Sequence, residues 1–495
     1  MSGLEELSRE ELIALTRALM AENTALKAEV AELRAENAAL RERVAKLERL
    51  VSRNSGNSGM PPSVDDLPGR KRPKDRALGS IAGRRPGKQP GAGGKALAWS
   101  DEVADSDIVE HYPHGPCGCG ADLARAADLG VTARHQQIEI PLVVARRLQH
   151  HLHSVACRCG RVHTATRPAG VPAAPVSLGV NLQAWCVYLL VVHAIPVHRV
   201  AELVGSLTGA EPSAGFVHSL IGRAAGAVAS ANARIRMLLT LAYVVCCDET
   251  PIRVGPAKAK KYLLVACDRM LTWYMLGGRD LATFRRFVLA DLSGVVVHDR
   301  YQNYDATDLG PRTHQLCVAH LLRDLEDCAE TYPKARWPRQ LQMALRGLVH
   351  AANLARAQGN DAIAAGTLAM FTKMFRGGVA VGLSQVKRLP GPAKTVTQPV
   401  GRVLLEVLRD RAGDVLRFAC DLRIPPTNNQ AERDLRPAKT QQKISGRLRS
   451  EKAAEHRYAV RGYLSTALKH GLDVMTVLRD ALLGNLWMPP DPVTA

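Results

Sequence analysis

Two apolar runs in this chain end in a carboxylate. "AYVVCCDETPIRV" reaches Asp248 and "GVVVHDRYQNYD" reaches Asp299, while a third acid, Glu432, lies in the polar stretch "IPPTNNQAERDLRPAKTQQK". A buried strand that terminates in aspartate presents that carboxylate at the carboxyl edge of a sheet, and hard divalent cations take such oxygen ligands. Three converging carboxylates can hold two Mg²⁺ about 3.5–4 Å apart, the geometry for in-line phosphoryl transfer. One ion then activates an attacking water or 3′-hydroxyl and the other stabilises the leaving oxygen. Spacing alone leaves open whether the three acids meet or serve as structural acids. Asp305 and Asp308 compete with Asp299, but they fall in a polar loop and not at a strand end. Glu249 and Thr250 adjoin Asp248 and read as its supports.

The elements that must position these acids are legible as changes of period. Apolar runs predict strands at "AYVVCCDETPIRV", "KYLLVACDR", "LTWYMLGG" and "GVVVHD", within a region spanning 241–450. From 318 to about 418 the pattern is helical and rich in Arg and Leu, and a last helical region spans 451–495. Upstream, 171–240 is also helical. "VHRVAELVGSLTGAEPSAGFVHSLIGRAA" reads as helix, turn, helix, which suits either a DNA-reading helix-turn-helix or ordinary helical packing.

The N-terminal part is modular. In residues 1–53, Leu12, Leu19, Leu26, Leu33, Leu40 and Leu47 recur every seven residues, with Val30, Val44, Val51, Asn23 and Asn37 at the other heptad position. β-Branched residues at a and Leu at d predict a parallel two-stranded coiled coil, with the Asn pair setting register; the alternative is a single amphipathic surface helix. Residues 54–100 form a predicted disordered basic linker. Between Gly69 and Lys95 nine Lys or Arg, among them Arg70, Lys71, Arg72, Arg84 and Arg85, face one acid, Asp75. Such an arm binds phosphates without regard to sequence, or is a plain solvated linker. Residues 101–170 hold "GPCGCGADL" and "ACRCGRVH". Cys117 with Cys119 and Cys157 with Cys159 read as four thiolates for a structural Zn²⁺ in a ribbon-like module, with the intervening "HQQIEIPLVVARRLQHHLHSVAC" as strands. The C-x-C spacing is tighter than the usual C-x-x-C, so His114, His153 or His163 could replace a thiolate, and four unrelated reduced thiols are the alternative.

Composition bounds the class. The 495 residues suggest several domains, and a net charge of +19 with 46% hydrophobic residues points to a folded protein with a polyanionic partner. The longest apolar run, "AWCVYLLVVHAIPV", is too short to span a bilayer and contains His193 and Pro196. The acidic, helical N-terminus is unlike a signal peptide, so a cytoplasmic protein is expected.

The chain resembles the transposases of insertion-sequence family sixty-six, a DDE-type bacterial group. The resemblance rests on the leucine-heptad coil, "NSGNSGMPPS", the cysteine pairs, "CDETPIRV", "HDRYQNYD", "CVAHLLRDL", "TNNQAERDLRP" and "RSEKAAEHRYAVRGYLSTALKHGLD", in that order over almost the whole length. It implies a multidomain α+β protein. Coil and zinc-ribbon-like module would precede a ribonuclease-H-like α/β catalytic domain carrying a large helical insertion. Asp248, Asp299 and Glu432 would be the catalytic triad binding Mg²⁺, or Mn²⁺ in its place, and Arg433, Arg436 and Lys443 would reach the DNA backbone. His320 and Arg323, which share a helix face, match the family too; His320 reads equally as a structural histidine. Asn428 is expected to cap the helix bearing Glu432. Thr427 stands where the family has Asp, and Arg300 where it has a small residue. Implied partners are double-stranded DNA at element ends and target, a second copy through the coil or a higher assembly on DNA, and accessory proteins of the same element, with the protein nucleoid-associated when on DNA. Two other readings remain: a catalytically silent zipper and zinc regulator derived from a transposase, and a structure-specific nuclease that cuts without joining.

Overall fold

The computed structural model describes residues 8–52 and 98–491, apart from 141–142, 169, 257–258 and 393–395. The basic linker, with Arg70, Lys71, Arg72, Arg84 and Arg85, lies outside the described residues. The chain is mixed α+β, mostly helical around a mixed sheet. Its contacts divide it into two units, one of 1–74, 151–203 and 211–495, the other of 75–150 and 204–210.

The first unit begins with α1 (Arg9–Ser52), an unbroken helix whose heptad leucines Leu19, Leu26, Leu33, Leu40 and Leu47 are all about half exposed or more. A short hairpin, β1 (Ser154–Ala156) with β2 (Val162–Thr164), is followed by α2 (Val180–Val191), α3 (Val197–Thr208), α4 (Ala214–Ala227) and α5 (Ala229–Leu241). The sheet comes next: β3 (Val244–Ile252), β4 (Lys261–Cys267), β5 (Thr272–Gly277), then α6 (Leu281–Arg286), β6 (Val295–His298) and β7 (Thr313–Leu316). Helices α7 (Val318–Thr331), α8 (Trp337–Ala357), α9 (Ala365–Gln385), α10 (Arg402–Asp410) and α11 (Ala412–Cys420) separate the sheet from α12 (Asn429–Ile444), α13 (Glu451–Lys469) and α14 (Val474–Leu483).

Strand order is β5-β4-β3-β6-β7. The first three form an antiparallel meander, whereas β6 runs parallel to β3, and β7 parallel to β6. Interior parallel strands are buried on both faces, which is why "VVVH" of β6 is continuously buried rather than alternating. The strand β7, "THQL", is too short and too polar for a period to reveal it, and it was not expected from the sequence. Its two buried residues, Gln315 and Leu316, are held by pairing with β6 and by Gln315, which donates to the Val415 carbonyl and accepts from Phe418 N.

Apolar layers cover both faces of the sheet. On one, Cys246, Val265, Val295 and Val297 meet Leu321 and Leu325 of α7, Leu405 of α10 and Ala431 and Leu435 of α12. On the other, Val245, Cys247, Leu264 and Val296 meet Ile235 and Leu239 of α5, with Phe284 and Phe287. The N-terminal helices pack with the C-terminal ones, α4 and α2 against α13 and α14.

Between the cysteine pairs only the last three residues before Cys157 form one of the expected strands. Residues 135–153, as far as they are described, carry no strand, and Ile138 and Ile140 are 74% and 78% exposed. Alternation makes a strand only where a neighbour completes the ladder, and there only Ser154–Ala156 finds one. Among the described residues, no helix is long and apolar enough to cross a membrane.

Candidate active site

Alternation along β3 sends Cys246 and Asp248 to the α12 side and Cys247 and Glu249 to the other. Along β6 it sends Val295, Val297 and then Asp299 to that same side. The parallel register pairs Cys246 with Val297. Two residues further on, Asp248 therefore stands beside Asp299, about one ladder spacing (~4.8 Å) away.

Backbone hydrogen bonds bring in the third carboxylate. The Asn428 Nδ2 donates to the carbonyl of Cys247 at 2.7 Å, and Asn428 N donates to Cys317 Sγ at 3.2 Å. Cys317 N in turn donates to the carbonyl of His298 at 2.9 Å. The residues immediately before Asp248 and Asp299 are thus tied, directly or through Cys317, to the first turn of α12. Glu432 follows one turn later, its N–H bonded to the Asn428 carbonyl. Asn428 stands at the helix start, but its side chain makes no cap; it is fully buried and spent on β3. Its expected capping role is replaced by this tether.

The site is electrostatically tense. Burial, then the charges of Glu249 and Asp299, push Asp248 up to about 8. Glu249 is raised too, by burial and then by Asp299, although Arg279 pairs with it at 2.8 Å and Tyr304 OH donates to it at 2.9 Å. His320 Nε2 lies 3.8 Å from Glu432 Oε1. Burial works against its charge, but the hydrogen bond to Cys317 and the Cys317 and Glu432 charges outweigh it and raise His320 to about 9. Glu432 Oε1 is buried and accepts no hydrogen bond among the described residues. A buried carboxylate oxygen without a donor, beside two aspartates that repel each other, suits a divalent cation. The oxygens of all three do not close to within 4.8 Å of one another; among the described residues the trio of donors that does is His298, Asp305 and His314.

The other residues singled out from the sequence fall as follows. Arg433 and Arg436 are exposed on α12, and Lys443 is exposed two turns beyond. Glu432, Arg436, Lys439 and Lys443 share one stripe at i, i+4, i+7 and i+11. Arg323 is part-buried beside His320 on α7. Arg300 pairs with Asp324, so its charge is already engaged. The competing acids are engaged as well, Asp305 with Arg411 at 2.8 Å and Asp308 with Arg285 at 2.7 Å. Cys317, Arg279 and Tyr304 were missed by sequence reasoning. Only the proximity of Cys317 to His320 within "CVAHLLRDL" could have pointed to one of them.

Each cysteine pair forms the same local turn. Cys117 N donates to the Ala121 carbonyl and Gly120 N to the Cys117 carbonyl; Cys157 N donates to the Arg161 carbonyl and Gly160 N to the Cys157 carbonyl. Gly120 and Gly160 take φ of 90° and 84°, a conformation that favours glycine. In each turn, hydrogen bonds from the second cysteine's backbone and side chain lower the first cysteine's pKa, favouring the thiolate.

Over residues 175–456 the chain matches the family model of a class of transposases, described as the Transposase IS66 family. That match covers more than half of the chain, which therefore belongs to the IS66 transposase family. Residues 4–98 match a second family, of unknown function, DUF6444. No curated protein matches the chain. Membership makes the protein a transposase in the broad sense, a DNA-processing enzyme whose partner is DNA.

Proposed function

We propose that the chain is a DDE-type transposase that cleaves DNA at insertion-sequence ends and transfers the freed 3′-hydroxyl into target DNA. The observation that carries this reading is the register-matched pair Asp248 and Asp299 with Glu432 fastened to both through Asn428 and Cys317. A ribonuclease-H-like catalytic domain is supported by the strand order: three antiparallel strands, two parallel ones added to the first, one acid in the middle of the first strand (Asp248, not at its end as the apolar run suggested), one just past the fourth, and a third on a later helix. Helices α7–α11 would be the insertion.

Asp248, Asp299 and Glu432 would hold divalent cations, Mg²⁺ or Mn²⁺, which when bound supply activation of the attacking oxygen and stabilisation of the leaving one. The remaining work belongs to side chains. Protonated His320 offers a positive N–H beside Glu432, placed to steady a phosphate oxygen or orient the carboxylate. Arg433, Arg436 and Lys443 would hold the DNA backbone next to the acids, Arg by its bidentate fork. Glu249, neutralised by Arg279, would set the position of β3 rather than bind a cation.

The remaining modules serve assembly and DNA binding in this reading. The two Cys-x-Cys-Gly turns would supply four thiolates to a structural Zn²⁺, α1 would pair two subunits, and the basic linker with helices α2–α5 would grip the ends. The test is Mg²⁺-dependent joining of a labelled DNA end, carrying the element's own terminal repeat, to plasmid DNA, with Glu432→Gln beside wild type. Joining by wild type alone supports the reading. Cutting without joining would indicate a nuclease, and binding without cutting in both proteins, even with companion proteins added, a regulator.

A further inference from the structure

On the face of the sheet opposite the carboxylates, the last residue of β6 and the second of β7 present two imidazoles to each other. His298 Nε2 and His314 Nδ1 lie 3.0 Å apart, and Asp305 Oδ1 lies 3.7 Å from the same His314 nitrogen. All three donors fall within 4.8 Å of one another. Ligands held at ~2.0–2.1 Å around a tetrahedral ion are about 3.3 Å apart, so this spacing needs little adjustment to close on one.

Several features favour a metal over a bare hydrogen-bonded pair. His298 is fully buried, with its ring centroid 4.6 Å from that of Tyr304, so its position is fixed by packing. Arg411 binds the other oxygen of Asp305 at 2.8 Å, so Oδ1 is the one turned to the rings. That guanidinium is itself balanced by Asp414 at 2.9 Å, so its charge does not stand unopposed against a cation. Orientation of a ligating carboxylate by a partner behind it is the usual support of such sites. Asp305 is exposed, which leaves a fourth position open to water.

We infer that His298, His314 and Asp305 form a site for one divalent transition ion of the Zn²⁺ class, separate from the carboxylate site. Two imidazoles and one carboxylate suit Zn²⁺ or Fe²⁺ better than Mg²⁺, whereas three carboxylates suit Mg²⁺ or Mn²⁺. The ion would pin the 302–305 turn to the sheet just after Asp299, so it positions that aspartate without touching the DNA.

The test uses the full-length chain, loaded with excess Zn²⁺ and desalted, with zinc per chain read by elemental analysis. Wild type, Asp305→Asn, His314→Gln and Asp308→Asn are compared, the last being a control acid in the same loop, and folding is checked by circular dichroism. The expected result is about one zinc fewer per chain in Asp305→Asn and His314→Gln, with Asp308→Asn unchanged, since any zinc bound by the cysteine thiols is common to all four. Equal zinc in all four proteins overturns the inference. So does an equal loss in Asp308→Asn, because the ion would then follow the loop's charge and not these ligands.

Discussion

In the proposed function, Asp248 couples the chemistry to stability. In the folded, metal-free chain it keeps its proton up to about 8, against an ordinary value of 3.8. Between those two values the unfolded chain binds fewer protons than the folded one, so this group's penalty grows as pH rises through the window and is complete above about 8. Asp248→Asn removes the charge. In EDTA the variant is expected to be more stable than wild type at about pH 8.5, by up to about 5 kcal/mol, with the gain vanishing toward about pH 4. Urea denaturation at several pH values reads this; a gain independent of pH would contradict it. The same substitution, like Asp299→Asn and Glu432→Gln, is expected to lower joining by at least ~10³-fold while leaving end binding intact, because preorganised charge acts on the reacting phosphate and not on the rest of the duplex. A gel-shift measurement beside the joining assay separates the two effects.

At the scale of elements, what matters is how α12 is fastened to the sheet. Asn428 is buried, and its amide satisfies the Cys247 carbonyl. Asn428→Ala leaves that carbonyl unpaired and is expected to cost about 1–3 kcal/mol. Asn428→Asp should be worse above neutral pH, since it turns a carboxylate oxygen toward a carbonyl. Thermal denaturation orders the two variants. Asp434, two residues beyond Glu432, does a different job on the same helix: it accepts from Thr272 Oγ1 at 3.0 Å and pairs with Lys469 of α13 at 2.9 Å. β6 has its own constraint at Gly294, where a Cβ would lie 2.2 Å from the Ala242 carbonyl oxygen. Backbone cannot yield as a side-chain tip can, so Gly294→Ala is expected to destabilise by about 1–3 kcal/mol and to displace the strand that ends in Asp299. Lower joining at unchanged end binding would be the functional trace.

For the whole molecule, charge and assembly make the predictions. A net charge of +19 implies that end binding weakens steeply with salt, the slope of log affinity against log salt counting neutralised phosphates. Arg436→Ala should lower that slope by about one. The heptad leucines of α1 leave an apolar stripe exposed along the helix. A second α1 would bury it, so Leu26→Lys with Leu33→Lys is expected to convert a dimer to a monomer in sedimentation equilibrium and to abolish joining of paired ends. A wild-type monomer at micromolar concentration would remove the coil from the reading.

Local pattern sufficed for some of this. The heptads of α1, the apolar runs of β3 to β6, Asp299 just past the end of β6 and the paired Cys-x-Cys-Gly turns depend on interactions within a few residues, which sequence records directly, whereas β3 runs on past Asp248 to Ile252 because β4 pairs with it there. The strand β7 did not, because four residues carry no readable period and their pairing comes from β6. The strands expected over 135–153 failed for the converse reason, as far as those residues are described: alternation was present, and only Ser154–Ala156 beyond them found a partner. Asn428 read as a cap because its local neighbours allow one, yet a carbonyl 181 residues away takes its side chain. That His298 and Asp299, adjacent in sequence, point to opposite faces follows from alternation; that His298 there meets His314 and Asp305 required the β6–β7 register and the turn that returns over it. Sequence by itself determined which residues carry charge, thiol and apolar stripe. Only the tertiary structure decided which of them meet, because such contacts join distant stretches of chain whose register is chosen by packing of the whole core.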